Sequence, residues 1–158
     1  MSGGMKRIAL GFLALALAAC QSTPEVAAPL PPPPTGEVTA PAKNVPAALA
    51  AFSGTWVGKW GESLDAHLAV QTVARDGAVT GTYSWGDMPG QFKAGSAAVT
   101  GKIAAGALIL DALPTGAMAS FTMQPDGALA GTYVLNGQTS TGTFRQAVAS
   151  AAASAPGG

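Results

Sequence analysis

The chain contains one histidine and one cysteine, so its side chains offer a narrow range of chemistry. His67 stands two residues after Asp65 in an alternating polar and apolar stretch, which places both side chains on one face of a strand. A carboxylate beside an imidazole is a start for a general base or a weak metal site, with Glu62 and Asp87 as further carboxylates. The same spacing is typical of a solvated outer face. We therefore expect no catalytic residue, no metal and no cofactor.

The composition excludes several classes of protein. The 158 residues allow one ordinary domain. Eight Lys and Arg balance eight Asp and Glu, so the chain lacks the basic surface of a nucleic-acid-binding protein. A single cysteine rules out an intrachain disulfide. The 21 glycines and 12 prolines suit short strands and turns rather than a helical bundle.

The N-terminus carries the most specific motif. Lys6 and Arg7 precede an apolar run of twelve residues, which is too short for a stable membrane-spanning helix and typical of a secretory signal peptide over residues 1–19. The tetrad Leu17-Ala18-Ala19-Cys20 then resembles a bacterial lipobox. The resemblance implies that the Cys20 sulfur receives a diacylglyceryl group, that the chain is cut before this residue, and that the new amine is acylated, as with palmitate.

Lipidation implies a cellular location for the protein. Each buried methylene contributes about 0.8 kcal/mol to membrane attachment, so two or three acyl chains hold a protein essentially permanently. Residue 21 is Gln, whereas lipoproteins of enteric bacteria that stay at the inner membrane commonly have Asp there. We therefore expect a lipid-anchored protein of the cell envelope, at the outer membrane, facing the periplasm or the cell surface.

Two segments are predicted to be disordered. Residues 21–50 hold eight of the twelve prolines and no aromatic residue. Such a segment cannot bury enough apolar area to offset the entropy lost on ordering. We predict a lipidated cysteine and a disordered proline-rich linker over residues 20–51, and a disordered tail over residues 147–158.

Residues 52–146 are predicted to form the folded domain. Apolar residues alternate with polar ones, and turn dipeptides such as Asp76-Gly77 and Asn136-Gly137 separate the alternating runs. Glycines recur on the predicted inward rows, where they let a sheet coil and close. These glycines are Gly58, Gly81, Gly101, Gly131 and Gly142. The fold class is therefore all-β, a small antiparallel meander barrel of about eight strands, with a twisted open sandwich as the alternative. Its polar second face favours a soluble barrel over a membrane-spanning one.

A group of large side chains is predicted to lie at one mouth of the barrel. Trp60 and Trp85 stand near strand ends, Tyr83 precedes Trp85, and Met88 lies in a glycine-containing loop. A mouth with such a lining could take a small apolar ligand or contact a protein partner. The same rings could instead plug a glycine-rich core, and the sequence leaves both interpretations open.

One motif resembles the calycins, the group that contains lipocalins and avidins. Gly54-Thr55-Trp56 is similar to the G-x-W that opens their first strand. In lipocalins this tryptophan packs against an arginine late in the chain, so the resemblance implies that Trp56 stacks on Arg145, a contact between a planar cation and an indole face. Residues 76–83 are also similar to the second strand of avidins. The biotin site of avidins does not carry over, because Trp85 stands where a ligand-binding serine is expected.

The order of lipobox, proline tract and small barrel is similar to a second group. Outer-membrane lipoproteins of alphaproteobacteria share it and carry a barrel resembling a metalloprotease inhibitor, usually with a cysteine pair that this barrel lacks. The sequence therefore predicts an outer-membrane-anchored lipoprotein whose barrel is a non-catalytic binding or interaction module. The alternatives are a protease-inhibitor-like barrel and a carrier of a small apolar ligand.

Overall fold

The computed structural model describes residues 30–34 and 36–147. The predicted signal peptide, the predicted lipidation site Cys20 and residues 148–158 of the predicted tail lie outside this part of the chain. The described elements are helix α1 (Ala47–Ala50) and strands β1 (Gly54–Trp60), β2 (Leu64–Val73), β3 (Ala78–Trp85), β4 (Gly95–Ala104), β5 (Ala107–Leu110), β6 (Met118–Met123), β7 (Leu129–Leu135) and β8 (Gln138–Gln146).

The eight strands form one closed barrel. Each strand pairs antiparallel with its neighbour in sequence, and β1 pairs with β8 to close the sheet. The prediction of an all-β meander barrel is confirmed, and the open sandwich is wrong. In a closed meander, alternate turns lie at the same end. We call one end the loop end, formed by residues 61–63, 86–94, 111–117 and 136–137, and the other the sealed end, where the chain enters β1.

Tight turns join the strands as the turn dipeptides predict. Asn136 and Gly137 have positive φ angles of 50° and 76°, which is the backbone of the turn that best matches the twist of two paired strands. Ala105 and Gly106 join β4 to β5 with φ angles of 50° and 77°. The sequence does not predict this second turn, because alanine rarely adopts a positive φ.

The two Asp-Gly turns at the sealed end are alike in detail. The Asp76 carboxylate accepts a hydrogen bond of 3.1 Å from the Ala78 N–H, and the Asp126 carboxylate accepts one of 3.1 Å from the Ala128 N–H. The bond from the Ala78 N–H and the nearby Lys102 ammonium hold the pKa of Asp76 below its ordinary value. The two turns therefore share the same hydrogen bond from the backbone to the aspartate side chain.

Two inward glycines leave room for the barrel wall to curve and for a large ring inside it. A Cβ at Gly142 would collide with the Lys59 carbonyl of the neighbouring strand. A Cβ at Gly131 would lie 2.7 Å from the Trp60 ring. Alanine at either position would therefore force β1 and β8 apart or displace Trp60.

The sealed end is closed by the residues that lead into β1. Phe52 is fully buried, and its carbonyl accepts a hydrogen bond of 2.9 Å from the Trp56 indole N–H. Leu49 and Ala50 of α1 pack against the core that contains both aromatic rings. Because the polar atom of Trp56 is satisfied by the backbone, the ring is buried without an unpaired donor.

The C-terminal part of the predicted linker lies against the barrel. Val45 belongs to the buried core, and residues 47–50 are helical rather than disordered. Farther upstream, the Thr39 N–H donates a 2.9 Å hydrogen bond to the Gln71 carbonyl, at a point where the pairing of β2 with β3 shifts register. A β-bulge leaves an extra residue unpaired, which makes this carbonyl available. The division of the chain into domains stays a prediction, but contacts with the barrel begin well before residue 52.

The predicted stack of Trp56 on Arg145 is not formed. Trp56 points into the barrel, whereas Arg145 follows the inward Phe144 and so points outward. The guanidinium of Arg145 is exposed and lies 3.4 Å from the Asp126 carboxylate. Strict alternation along β8 explains the difference, since the two side chains are on opposite faces of the sheet. The implied neighbourhood of the first and last strands is nevertheless correct.

Candidate functional site

The four residues predicted to line a ligand site all lie toward the loop end, but at two depths. Trp60 and Tyr83 are only 3% and 2% exposed and belong to the core. Trp85 and Met88 are partly buried and pack on that core from above. Sequence reasoning grouped the four correctly by end, because each falls at or near the strand termini that a meander places together.

Trp60 and Tyr83 form a bonded pair inside the barrel. The Trp60 indole N–H donates a hydrogen bond of 2.6 Å to the Tyr83 hydroxyl. Burial raises the pKa of that hydroxyl above its ordinary value, so it stays protonated. The Trp60 ring also lies 4.9 Å from the Phe144 ring and 5.7 Å from the Phe121 ring, measured between centroids. Aromatic pairs at such distances add to the stabilisation from burial. These four rings, of Trp60, Tyr83, Phe121 and Phe144, fill the barrel interior beneath the loop end, and we call them the plug.

The β3–β4 loop folds over this plug as a lid. Trp85 stacks on Tyr83 with ring centroids 5.9 Å apart, and its indole N–H donates a 2.9 Å hydrogen bond to the Lys93 carbonyl. Met88 and Phe92 pair across the loop through backbone hydrogen bonds. The lid, residues 86–94, is thus held by hydrogen bonds within the loop and by hydrogen bonds to β2 and β3, namely Gly86 N–H to the Asp65 carbonyl and Trp85 N–H to the Lys93 carbonyl.

A small apolar recess lies between the lid and the plug. It has a volume of about 10 Å³, which is room for roughly one water-sized group. The recess surface is mostly apolar, and the Trp85 indole N–H beside it is already bonded to the Lys93 carbonyl. The recess is lined by Leu64, Tyr83, Trp85, Phe92, Leu113, Pro114, Thr115 and Tyr133.

A larger cleft opens beside the recess, between the lid and the β7–β8 hairpin. Its volume is about 440 Å³, within the range of small-molecule sites. Its apolar and aromatic lining residues are Trp60, Leu64, Met88, Phe92, Tyr133 and Leu135. Its rim also carries neutral hydrogen-bonding side chains, namely Ser63, Gln91, Asn136, Gln138 and Ser140. Among the residues that the structure describes, no Asp, Glu, Lys, Arg or His lines the cleft, so it presents hydrogen bonds without charge.

Sequence reasoning missed the polar side of this cleft. Gln91, Gln138 and Ser140 carry no motif, and they come together only because the barrel brings the β3–β4 and β7–β8 turns to one end. The Asn136-Gly137 turn, which the sequence does announce, was the available clue to the position of Gln138 and Ser140. The sequence alone did not give the exact number of strands, which is needed to place this turn at the same end of the barrel as Trp60.

The carboxylates considered with His67 do not gather around it. Asp65 forms an ion pair of 3.2 Å with Lys59, and Asp87 lies in the lid, 3.5 Å from Lys93. His67 lies on the outer face of β2, opposite Ser84 of β3. Burial lowers its pKa below the ordinary value, and the Asp65 charge opposes that shift only in part. The structure therefore assembles no general base with two carboxylates at His67.

Ser84 does not convert His67 into a nucleophilic site. The Ser84 hydroxyl is fully buried, and neither it nor His67 Nδ1 has a hydrogen-bond partner among the residues that the structure describes. A nucleophile must reach its substrate, and this hydroxyl is covered. Residues 30–34 and 36–147 also contain no group of three acidic, histidine or cysteine side chains placed to hold a metal ion.

No known family model and no curated protein matches this chain. In the part of the chain that the structure describes, no helix has the length and apolar character needed to cross a membrane. The geometry of the loop end is therefore the basis for a functional proposal.

Proposed function

We propose that this chain is a lipid-anchored protein of a bacterial cell envelope, held at the outer membrane through Cys20, and that its barrel is a non-catalytic binding module. The ligand or partner binds at the loop end. The observation that carries this proposal is the uncharged cleft of about 440 Å³ beside the lid, open at the end opposite to the one closed by Phe52 and α1.

The packing inside the barrel and the lining of the cleft argue against two other functions, a carrier of an apolar ligand and an enzyme. A carrier of an apolar ligand needs room inside the barrel, and there Trp60, Phe121 and Phe144 pack ring against ring. An enzyme needs reactive groups that converge on an accessible point, and the cleft is lined by amide, hydroxyl and apolar groups. Recognition through shape and neutral hydrogen bonds is what such a lining supports.

The binding role can be tested by site-specific photo-crosslinking in the cells that make the protein. A photoreactive residue at Gln138, which lines the cleft, should give a crosslinked species. The same residue at Thr122, which is exposed on the outward face of β6, is the matched control and should give none. Equal crosslinking at both positions, or none at Gln138, would contradict a binding role for the loop end.

The anchor requires a separate experiment. Cells fed a fatty acid with a clickable tag should label the wild-type protein, and mass spectrometry should find a mature chain that begins at a lipid-modified Cys20. The Cys20→Ser variant should lose the label, because the sequence holds no other cysteine. Undiminished labelling of this variant would overturn the proposed anchor.

A further inference from the structure

The loop end carries an apolar recess and a polar cleft side by side, and together they restrict the ligand. Leu64, Phe92 and Tyr133 line both spaces, so a molecule in the cleft can place one small group in the recess. The recess, about 10 Å³, takes a group the size of a methyl or a water.

The mostly apolar surface of the recess favours a methyl group over water. A buried water molecule typically makes two to four hydrogen bonds. The Trp85 N–H already donates to the Lys93 carbonyl, and the Tyr83 hydroxyl, which accepts the Trp60 N–H, keeps one O–H to donate. A methyl group needs no partner and contacts the rings on either side.

The polar side chains at the rim of the cleft favour a ligand rich in hydroxyl or amide groups. Gln91, Asn136 and Gln138 each offer both a donor and an acceptor, as do the hydroxyls of Ser63 and Ser140. Sugar hydroxyls have the same dual character. The described part of the lining holds no Asp, Glu, Lys, Arg or His, so it offers no counter-charge to a phosphate, a carboxylate or an ammonium group.

The barrel topology disfavours an extended peptide as the ligand. Peptides bound as strands obtain much of their affinity from backbone hydrogen bonds to a free sheet edge. This sheet closes on itself through the pairing of β1 with β8. Residues 95–99 of β4, which pair with β3 but not with β5, do not line the cleft, so the cleft offers a peptide no free strand edge among the described residues.

Resting on the proposed binding function, we propose that the cleft binds an uncharged sugar bearing an N-acetyl group. The acetyl methyl occupies the recess, the sugar ring lies along Tyr133 and Phe92, and the hydroxyls bond to the amide and serine side chains of the rim. The cleft volume limits the recognised unit to one or two sugar rings.

The test is ligand-observed NMR on the full-length protein in a detergent that contains no sugar. Three probes separate the features of the ligand: N-acetylglucosamine, glucose, which lacks the acetamido group, and N-acetylalanine amide, a neutral peptide unit that lacks the sugar. N-acetylglucosamine should bind about tenfold more tightly than either of the other two. Its affinity should not change between low and high salt, because no charge pair is involved.

Two double variants with exposed substitutions locate the site. Gln138→Ala with Ser140→Ala removes two rim groups and should weaken N-acetylglucosamine binding by about tenfold. Thr139→Ala with Thr141→Ala alters the alternate, equally exposed positions of the same strand and should leave binding unchanged. The thermal unfolding of each variant confirms that the barrel is intact.

Each other outcome overturns the inference. Equal binding of glucose removes the role of the acetyl group, and preferential binding of N-acetylalanine amide makes the ligand a peptide. Loss of binding in the Thr139 and Thr141 variant alone puts the site elsewhere. If no probe binds while crosslinking at Gln138 succeeds, the sugar is wrong and the binding function stands; if both fail, both are wrong.

Discussion

At the sealed end of the barrel, Trp56 is covered by Phe52 and its N–H is bonded to the backbone, whereas at the loop end Trp85 and Met88 are only partly covered. The sealed end uses short Asp-Gly turns. The loop end carries the nine-residue lid of residues 86–94 and an open cleft. The side chains that close the sealed end are thus buried, whereas the loop end presents accessible neutral groups above its buried rings. Substitutions should therefore separate stability from binding.

The largest effect should come from Trp56. Trp56→Ala removes a fully buried ring, and such truncations cost about 3–5 kcal/mol of unfolding free energy. Trp85→Ala removes the same atoms from a half-covered position at the loop end and should cost less than half as much. Urea denaturation of both variants measures the contrast. Equal costs would show that the two ends are packed alike.

A smaller loss of unfolding free energy should follow removal of the Tyr83 hydroxyl, which accepts the hydrogen bond from Trp60 inside the barrel. Tyr83→Phe leaves the Trp60 N–H buried without a partner, which costs about 1–3 kcal/mol. Tyr133→Phe deletes the same hydroxyl from a half-buried ring and is the matched control. The difference in denaturation midpoint between the two variants gives the result. If Tyr133→Phe is the more destabilising, the Trp60–Tyr83 pair does not hold the loop end together.

The barrel wall between the two ends should show a modest pH dependence through His67. Burial lowers its pKa in the folded protein, whereas the unfolded chain has the ordinary value of about 6.5. The unfolded state therefore binds the proton more readily, and the unfolding free energy should fall as the pH drops through that value. His67→Gln should show a smaller fall between about pH 7.5 and pH 5 in chemical denaturation. An unchanged fall would assign the dependence to carboxylates.

The smallest effect should come from the outer surface at the sealed end. Arg145 and Asp126 form an exposed ion pair, and such pairs contribute about 0–1 kcal/mol. Because Arg145 and Trp56 lie on opposite faces of the sheet, Arg145→Ala and Trp56→Ala should have additive effects on the unfolding free energy. A coupling larger than about 0.5 kcal/mol in a double-mutant cycle would restore the stack that the sequence suggested.

Local rules predicted most of the barrel. Alternating residues assigned the inward rows of β2 and β3, and Asn136-Gly137 located a turn, because strand periodicity and turn conformation depend on neighbouring residues alone. The sequence did not predict helix α1, because this helix has only four residues and follows a proline-rich tract. Its stability comes from packing on the core, which composition does not reveal.

The candidate site was only half predictable. Large rings such as Trp60 stand out in a sequence, but their depth depends on what packs above them, here Trp85 of β3 and Phe92 of the lid. The cleft side chains of Gln138 and Ser140 are ordinary exposed residues until the barrel closes beside them. Placing them requires the positions of strands that are distant in sequence.

The hydrogen bond between Thr39 and Gln71 bears on the reach of the barrel if the chain is anchored at Cys20 as proposed. A free linker of thirty residues would reach roughly 90 Å at about 3.1 Å per residue, but chain fastened to the barrel from about residue 36 onward adds nothing to that reach. In the proposed anchored form, the stretch between Cys20 and Gly36 spans at most roughly 50 Å. Halving the reach cuts the volume that the barrel can explore about eightfold and raises its effective concentration near the membrane. In that proposed form, the loop end would search for its ligand within that distance of the lipid surface.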